Sequence, residues 1–242
     1  MTSEETGVTM PAPVGARRDL GDACVEEALS IIAQRGLEAL SLREVARRLG
    51  VSHQAPYKHY PSRDHLLAEV IRRCFERFAT AMRSAQSEAG PEGALRALGE
   101  TYLSFAAAHP LEYRLMFGTP WPRATDTAIL KPSATAAFAV LAETLHRLDP
   151  SAGSDRTRLD ALFVWATMHG LATLRGSNAL DCVGVPTLAG DAMSDHAMNR
   201  IGDALTAHHR GPALADPSVL TAEIEHRASP AVSWPAEQRP KS

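Results

Sequence analysis

The chain has 242 residues, of which 45% are hydrophobic and 22% are charged, so it can build one compact domain or two modest ones around an apolar core. Its apolar runs are shorter than the roughly 18 residues of a membrane span, and residues 1–15 lack the features of a secretory signal. The cysteines, Cys24, Cys74 and Cys182, are scattered and have no metal-ligand spacing. We therefore expect a cytoplasmic protein without disulfides, a metal site, a cofactor or a membrane partner.

Positive charge is concentrated near the N-terminus, although the whole chain carries a net charge of -3. Residues 41–63 contain five basic side chains and one acidic one, Glu44. The basic residues are Arg43, Arg47, Arg48, Lys58 and Arg63, and Arg17 and Arg18 precede them. A positive patch on a slightly acidic protein is suited to local contact with a polyanion such as nucleic acid.

Capping signals predict four helices in the first part of the chain, after residues 1–16, which we expect to be disordered. The first helix is predicted at 19–35. Ser41 stands three residues before Glu44, the spacing of a capping box, and begins a second helix that ends at Gly50. Ser52 begins a third, short helix at 53–60. Ser62 begins a fourth, which reaches about residue 88.

The rest of the chain is also predicted to be helical, up to residue 210. Apolar residues at helical spacing indicate helices at 92–109, 111–117, 127–148, 155–177 and 194–209. Residues 211–242 are rich in proline and have little to bury, so we expect this tail to be disordered. The fold class is therefore all-α.

The second and third predicted helices have the pattern of a helix-turn-helix. Gly50 and Val51 join them, and the apolar positions of the second helix suit the buried side of such a unit. The exposed side of the third helix offers side chains that can donate to base edges or phosphates in a major groove, namely His53, Gln54, Lys58 and His59.

This segment, residues 17–78, resembles the DNA-binding domain of the tetracycline-repressor (TetR) family. The Leu49-Gly-Val-Ser52 turn, the Tyr57-x-His59-Tyr60 signature and Pro61-Ser-Arg-Asp-x-Leu-Leu67 stand at the family's spacing. The Ala55-Pro56-Tyr57 variant departs from the commonest pattern. The resemblance implies a three-helix DNA-binding domain at 17–78 and an all-helical ligand-binding and dimerisation bundle at 79–210.

The resemblance also implies a role for individual residues. The start of the recognition helix, with His53, Gln54 and Ala55, would read bases. Arg43 would reach a phosphate or a base edge, and Arg17 with Arg18 would enter the minor groove as an arm. The phosphate contacts would come from Tyr57, Lys58, His59 and Arg63, and the capping residues Ser41 and Ser52 complete the predicted DNA-binding set. Other interpretations stay open: core packing for Tyr60, helix packing for His59, and a solvated face for Arg47 and Arg48.

Two segments of the second half, His109–Phe117 and Trp165-x-x-x-His169-Gly170, resemble the C-terminal domain of one TetR subgroup. An apolar ligand pocket with a few polar anchors is one interpretation of its aromatic and methionine residues, and ordinary core is the other. The candidate lining residues are Tyr102, Phe105, Met116, Phe117, Trp121, Phe138, Leu141, Trp165, Met168 and His169. Gly170 suits close helix approach in a dimer seam formed with the 194–209 helix.

These features predict a homodimeric, ligand-responsive transcription regulator. Repression of a palindromic operator, relieved by an unknown small-molecule inducer, is the usual family behaviour, and activation remains an alternative. An enzyme is the first rival, but Gly-x-Ser-x-Gly, His-Glu-x-x-His and a phosphate-binding glycine loop are missing from the sequence. His208 and His209 point to different sides of a helix, which is poor geometry for a shared metal. A helical protein-interaction module that has lost specific DNA binding is the second rival.

Overall fold

The computed structural model describes residues 19–118, 121, 124–177, 179–182, 184 and 190–208, and the regular elements in these ranges are all helical. The predicted all-α fold class is confirmed. The α-helices are α1 (Leu20–Arg35), α2 (Leu42–Leu49), α3 (Arg63–Ala108), α4 (Pro110–Phe117), α5 (Ala124–Leu148), α6 (Ser154–Arg175), α7 (Ala179–Cys182) and α8 (Gly190–His208). Two 3-10 helices lie at Leu37–Ala39 and Pro56–Lys58. The predicted disordered ends, 1–16 and 211–242, lie outside the described residues, as do Arg17 and Arg18.

The helix starts follow the predicted capping chemistry. Asp19 accepts a hydrogen bond from the Gly21 amide at 3.2 Å, at the start of α1. The Ser41 hydroxyl accepts from the Glu44 amide at 3.1 Å and so caps α2. Ser62 accepts from the His65 amide at 3.2 Å and caps α3. Each cap satisfies one of the amides that a first helical turn leaves without a partner.

We call residues 53–60, where the recognition helix was predicted, the recognition segment. The turn between α2 and this segment depends on Gly50. This residue has φ 66° and ψ 27°, a left-handed conformation that glycine adopts without steric cost. Its amide donates back to the carbonyls of Ala46 and Arg47, which ends α2. A helix and a sharp turn therefore stand where the sequence predicts them.

The predicted third α-helix, 53–60, is instead a turn followed by the 3-10 helix Pro56–Lys58. The Ala55 amide donates to the Ser52 carbonyl at 2.9 Å, and the His59 amide donates to the Pro56 carbonyl at 3.0 Å. Both bonds span three residues. Pro56 has no amide hydrogen, so it cannot bond the Ser52 carbonyl as an α-helix would require. The prediction of a regular α-helix at this position is wrong.

The N-terminal head, which we define as residues 19–78, is built on an apolar core shared by α1, α2 and the first part of α3. Cys24, Ala28 and Ile31 of α1 are fully buried, as are Val45 and Ala46 of α2. The apolar residues of the first part of α3 are buried, namely Leu66, Leu67, Val70, Ile71, Cys74, Phe75 and Phe78. The exposed recognition segment is thus held by a close-packed helical support.

The long element α3 is interrupted at Gly90, as the sequence predicts. Gly90 has φ 68° and ψ -179°, which is open mainly to glycine. The part of α3 before Gly90 begins in the core of the head. The part after Gly90 contributes Leu98, Tyr102 and Phe105 to a second core with α4, α5 and α6. One continuous element therefore links the head to the helical half of the protein.

The remaining helices differ from prediction mainly at their ends. The segment Ala128–Leu148 of α5 is long and apolar enough to span a membrane by length and composition, with a hydropathy of 1.2, but core helices have the same composition. Pro132 lies inside α5, and the short helix α7 lies between the predicted helices 155–177 and 194–209. By its contacts the chain divides into a unit that ends at Met198 and another that begins at Asn199, whose described part is the last stretch of α8.

Candidate DNA-binding surface and effector site

Several residues expected to contact DNA are exposed side chains of the head. Arg43 lies on α2, and His53, Gln54 and Lys58 lie in the recognition segment. Tyr57 is 41% exposed, unusual for an aromatic residue, whereas the neighbouring Pro56 is buried and anchors the segment. This segment packs against α2 and α1. The exposed groups are therefore displayed from a rigid support.

Other predicted contact residues are engaged within the head. The Arg63 guanidinium donates to the carbonyls of Leu40 and Leu37, each at 3.0 Å, and so secures the segment between α1 and α2. The Ser41 hydroxyl is used as a cap, and Ala55 is half-buried. Ser52 is exposed, and its carbonyl accepts from the Ala55 amide. Arg63 thus has a structural role that its place in the motif did not reveal.

The two aromatic residues after Lys58 contact α1. The Tyr60 hydroxyl donates to the Gly21 carbonyl at 3.1 Å, and burial is the main cause that raises its pKa to about 12. His59 is exposed, and its Nδ1 lies 3.2 Å from where a Cβ at Gly21 would stand. The packing interpretation of Tyr60 agrees with this geometry, and His59 packs against α1 while its ring remains accessible.

Three arginines of the head are paired with two carboxylates, Glu44 and Glu27. Arg47 donates to both oxygens of Glu44, at 2.8 and 2.7 Å, and Arg35 reaches the same carboxylate at 3.1 Å. Arg48 pairs with Glu27 at 2.8 Å. The Arg47 hydrogen bonds, aided by the other arginines, hold the pKa of Glu44 at about 2. By contrast, Arg43 and Lys58 form no ion pair with another described residue.

Ion pairs also connect the head to neighbouring elements through α3. Arg73 pairs with Asp22 of α1 at 2.5 Å and with Glu69 at 2.9 Å. One turn further on, Arg77 pairs with Glu112 of α4 at 2.7 Å. Adjacent turns of α3 therefore contact the first helix of the head and the helix that borders the predicted pocket.

The residues predicted to line an effector pocket gather mostly around Phe78. The ring centroid of Phe78 lies 5.2 Å from Tyr102, 5.1 Å from Phe105 and 6.3 Å from Trp165, and the interplanar angles are 88°, 64° and 86°. Phe117 and Phe138 also pack on Trp165, at 5.9 and 5.5 Å. Edge-to-face pairs of this kind stabilise a core beyond the effect of area alone. We call these six residues the aromatic cluster.

The polar member of this region is a group of three side chains. The Tyr113 hydroxyl lies 2.7 Å from Nδ1 of His169, and the Tyr102 hydroxyl lies 3.3 Å from that nitrogen and 3.4 Å from the Tyr113 hydroxyl. Burial lowers the pKa of His169 and raises the pKa of both tyrosines. A neutral imidazole and two protonated phenols therefore lie beside the aromatic cluster. We call Tyr102, Tyr113 and His169 the polar triad.

The cavity beside Tyr102 and Trp165 of the aromatic cluster is small. A cavity of about 10 Å³ remains, which is near the minimum that holds one water molecule. Its lining consists of Met82, Leu95, Leu98, Gly99, Tyr102, Leu141, Val164, Trp165 and Met168. In this structure the candidate pocket is thus almost closed by its own side chains.

Of the residues predicted to line the pocket, Tyr102, Leu141, Trp165 and Met168 border this cavity. Met116 and Trp121 have other surroundings, and two important residues were missed. Met116 is fully buried, and Trp121 is 42% exposed, packs on Phe75 and donates to the Met116 carbonyl at 2.9 Å. Phe78 was not among the predicted lining residues, although it lies at the centre of the aromatic cluster. Tyr113 belonged to a recognised motif, yet nothing local indicates its partner, which is 56 residues away in the sequence.

A further surface stands out on α6. Four large apolar side chains on one side of this helix are between 43% and 57% exposed, namely Leu159, Leu162, Phe163 and Leu174. Gly170 belongs to the same helix, and no described atom lies within 4 Å of where its Cβ would stand. We call this the α6 stripe. Apolar stripes of this size on a protein surface are typical of interfaces.

A helical head with a turn and exposed basic groups, joined to a helical core, is the architecture of a helix-turn-helix regulator. Comparisons with known proteins agree. Residues 25–70 match the bacterial regulatory proteins of the tetR family, and residues 95–201 match a tetracyclin repressor-like C-terminal domain. The two matches together cover more than half of the chain.

Three individual proteins that resemble this chain share between 25% and 29% sequence identity with it. The chain is 25% identical over 164 residues to the uncharacterized HTH-type transcriptional regulator Rv0681 of Mycobacterium tuberculosis, covering 66% of this chain and 72% of that protein. A solved structure of a protein with unknown function from Rhodococcus sp. RHA1 is 29% identical, with a TM-score of 0.63, and covers 78% of this chain and 98% of its own. A transcriptional regulator from the same organism is 25% identical, with a TM-score of 0.55, over 77% and 96% of the two chains.

The chain belongs to the TetR family of transcriptional regulators. Members of this family are DNA-binding transcription factors and not enzymes. The predicted function class is confirmed, and the enzyme rival is set aside.

Proposed function

We propose that this protein is a homodimeric repressor that binds a palindromic operator and is released from it by a small-molecule effector. The observation that carries the proposal is the distribution of charge on the head. Arg35, Arg47 and Arg48 are ion-paired with Glu44 and Glu27, whereas Arg43 and Lys58 are exposed cations, on α2 and in the recognition segment, that form no ion pair with another described residue. An arrangement of this kind favours contact with phosphates by a few defined side chains.

We assign DNA contacts to individual residues on the basis of exposure. His53 and Gln54 would reach base edges, with Ala55 beside them, because they begin the exposed recognition segment. Tyr57, Lys58 and His59 would bind phosphates. Arg43 and Ser52 would support them from the adjoining turn, and Arg17 with Arg18 would form an arm. Ser41 and Arg63 would act mainly by positioning the backbone, since their side chains are bonded within the head.

We propose that the α6 stripe is the core of the dimer interface. Leu162 and Phe163 are about half exposed, which would be costly on a surface that remained in water. The open space beside Gly170 would let a second helix approach closely. We also propose that the last helix, α8, contributes to this dimer interface, as the sequence predicts.

Effector binding would act through α3. This element carries Phe78 in the aromatic cluster and, within the five residues before it, Arg73 and Arg77, which pair with α1 and α4. A molecule that separates Phe78 from Trp165 would bind a rearranged state better than the closed one. Only such a difference in affinity can shift the protein away from the DNA-binding state.

The same reasoning supports the finer assignments. We place the protein in the subgroup with the Trp165-x-x-x-His169-Gly170 motif, because His169 joins the polar triad and Trp165 the aromatic cluster. We propose a DNA-binding domain at 17–78, an effector and dimer domain at 79–210, and a cytoplasmic location, where operator DNA is found.

The test is selection of duplexes from a random pool with purified protein, followed by anisotropy titration of the best duplex and of a scrambled one at near-physiological salt. We expect a palindromic duplex that binds about a thousandfold or more tightly than the scramble. Failure to enrich any motif, with an intact dimer in solution, would instead favour a protein-interaction module.

A further inference from the structure

The backbone of the recognition segment is wound more tightly than an α-helix. The Ala55 amide donates to the Ser52 carbonyl at 2.9 Å, and the Lys58 amide donates to the Ala55 carbonyl at 3.3 Å. The His59 amide donates to the Pro56 carbonyl at 3.0 Å. Each of these bonds spans three residues, as in a 3-10 helix, whereas the bonds of an α-helix span four.

Pro56 prevents the first α-helical bond of the segment. In an α-helix that begins after the Ser52 cap, the amide of residue 56 would donate to the Ser52 carbonyl. Proline has no amide hydrogen, and that carbonyl accepts from the Ala55 amide instead. A bond that spans four residues appears at the end of the segment, where the Tyr60 amide donates to the Pro56 carbonyl at 2.9 Å.

The ring of Pro56 also fixes the segment to its support. Pro56 is buried, whereas Gln54, Tyr57 and Lys58 on either side of it are exposed. The 3-10 helix that Pro56 begins contacts α2 and α1. The tight winding is therefore held against a packed surface, and the directions of the exposed side chains depend on it.

The winding decides how the proposed base readers stand relative to the proposed phosphate contacts. A 3-10 helix turns by about 120° and rises by about 2.0 Å per residue, against about 100° and 1.5 Å in an α-helix. Over the three residues from Gln54 to Tyr57, the two geometries differ by about 60° in direction and about 1.5 Å in height. Hydrogen bonds form over a range of only about 0.5 Å, so the same side chains on an α-helix would meet different atoms of the groove.

We propose that Pro56 determines operator specificity by positioning the residues that read the bases. Phosphate contacts from Tyr57 and Lys58 set the register of the head on DNA. The tight turn then fixes which base edges His53 and Gln54 reach. Pro56 is a positioning residue, because its buried ring acts through the backbone and not on a base. The inference rests on the proposed function, since it requires that these exposed residues contact an operator.

The experiment is selection of duplexes from a random pool with the full-length wild type, Pro56→Ala and Pro56→Val, followed by sequencing of the bound duplexes. Both substitutions restore an amide that can donate to the Ser52 carbonyl, and valine keeps most of the buried volume. We expect both variants to select the same new bases at the positions nearest the recognition segment in each half-site. By anisotropy, they should bind the wild-type operator at least about tenfold more weakly and a scrambled duplex within about threefold of the wild type.

Pro61→Ala is the matched control, because it replaces an exposed proline of the head just outside the recognition segment. This variant should select the wild-type operator and bind it within about threefold of the wild type. Selection of the wild-type operator by both Pro56 variants would overturn the inference. Equal losses on the operator and on the scrambled duplex would overturn it too, because a merely structural role has that effect. A wild-type protein that enriches no motif would refute the proposed function and the inference with it, and the wild-type selection alone reveals that result.

Discussion

Replacing Lys58 with alanine tests whether its exposed ammonium contacts a DNA phosphate. Each phosphate contact contributes about 0.9 to the slope of log K against log salt, and a dimer carries two copies of Lys58, so the slope should fall by about 1.8. Across a fourfold change in salt, from about 50 to 200 mM, this corresponds to about a 12-fold smaller loss of affinity. The assay is fluorescence anisotropy on a fixed duplex over that salt range.

Arg47→Ala is the matched control, because it removes the same charge from the same domain. Arg47 is bonded to Glu44, which keeps Arg35 and Arg48 as partners after the substitution. We expect its salt slope to stay within about 0.5 of the wild type, since no phosphate contact is lost. Equal decreases for both variants would mean that long-range charge alone matters, and would refute the assignment of Lys58.

Three further predictions concern base reading, dimerisation and pH. Gln54→Ala should cost about 1–3 kcal/mol on the selected operator and much less on scrambled DNA, measured by anisotropy; equal losses would contradict base reading. Leu162→Glu should weaken the dimer by at least about 2 kcal/mol in sedimentation equilibrium. Leu148→Glu makes the same change at an exposed leucine outside the α6 stripe, so this control variant should stay dimeric. Burial lowers the pKa of His169, so the unfolded chain binds its proton first, and the free energy of unfolding should fall as pH drops below the unfolded value of about 6.5. Urea denaturation should show a shallower fall for His169→Gln, and identical pH profiles would exclude this role.

Local rules predicted the scaffold of the head well. Ser41, Ser62 and Gly50 act on groups within a few residues, so their capping and turn roles follow from spacing alone. The recognition segment was predicted less well. Pro56 is compatible with the first turn of an α-helix, but here its missing amide leaves bonds that span three residues.

Contacts between distant parts of the chain could not be predicted from periodicity. Arg63 is part of a basic cluster in the sequence, yet the structure directs it to carbonyls 23 and 26 residues earlier. The aromatic residues of the second half were expected either to line a pocket or to form ordinary core. The structure packs most of them around Phe78, with a cavity of about 10 Å³ beside Tyr102 and Trp165, and the choice between these states depends on a ligand that a sequence does not contain.

The central claim is that a dimer places two recognition segments in successive major grooves of one operator. Hydroxyl-radical footprinting of the selected duplex tests it directly. We predict two protected regions on one face of the DNA, related by the palindrome and about 34–36 Å apart between their centres. A single protected region, or protection without a regular spacing, would contradict the account.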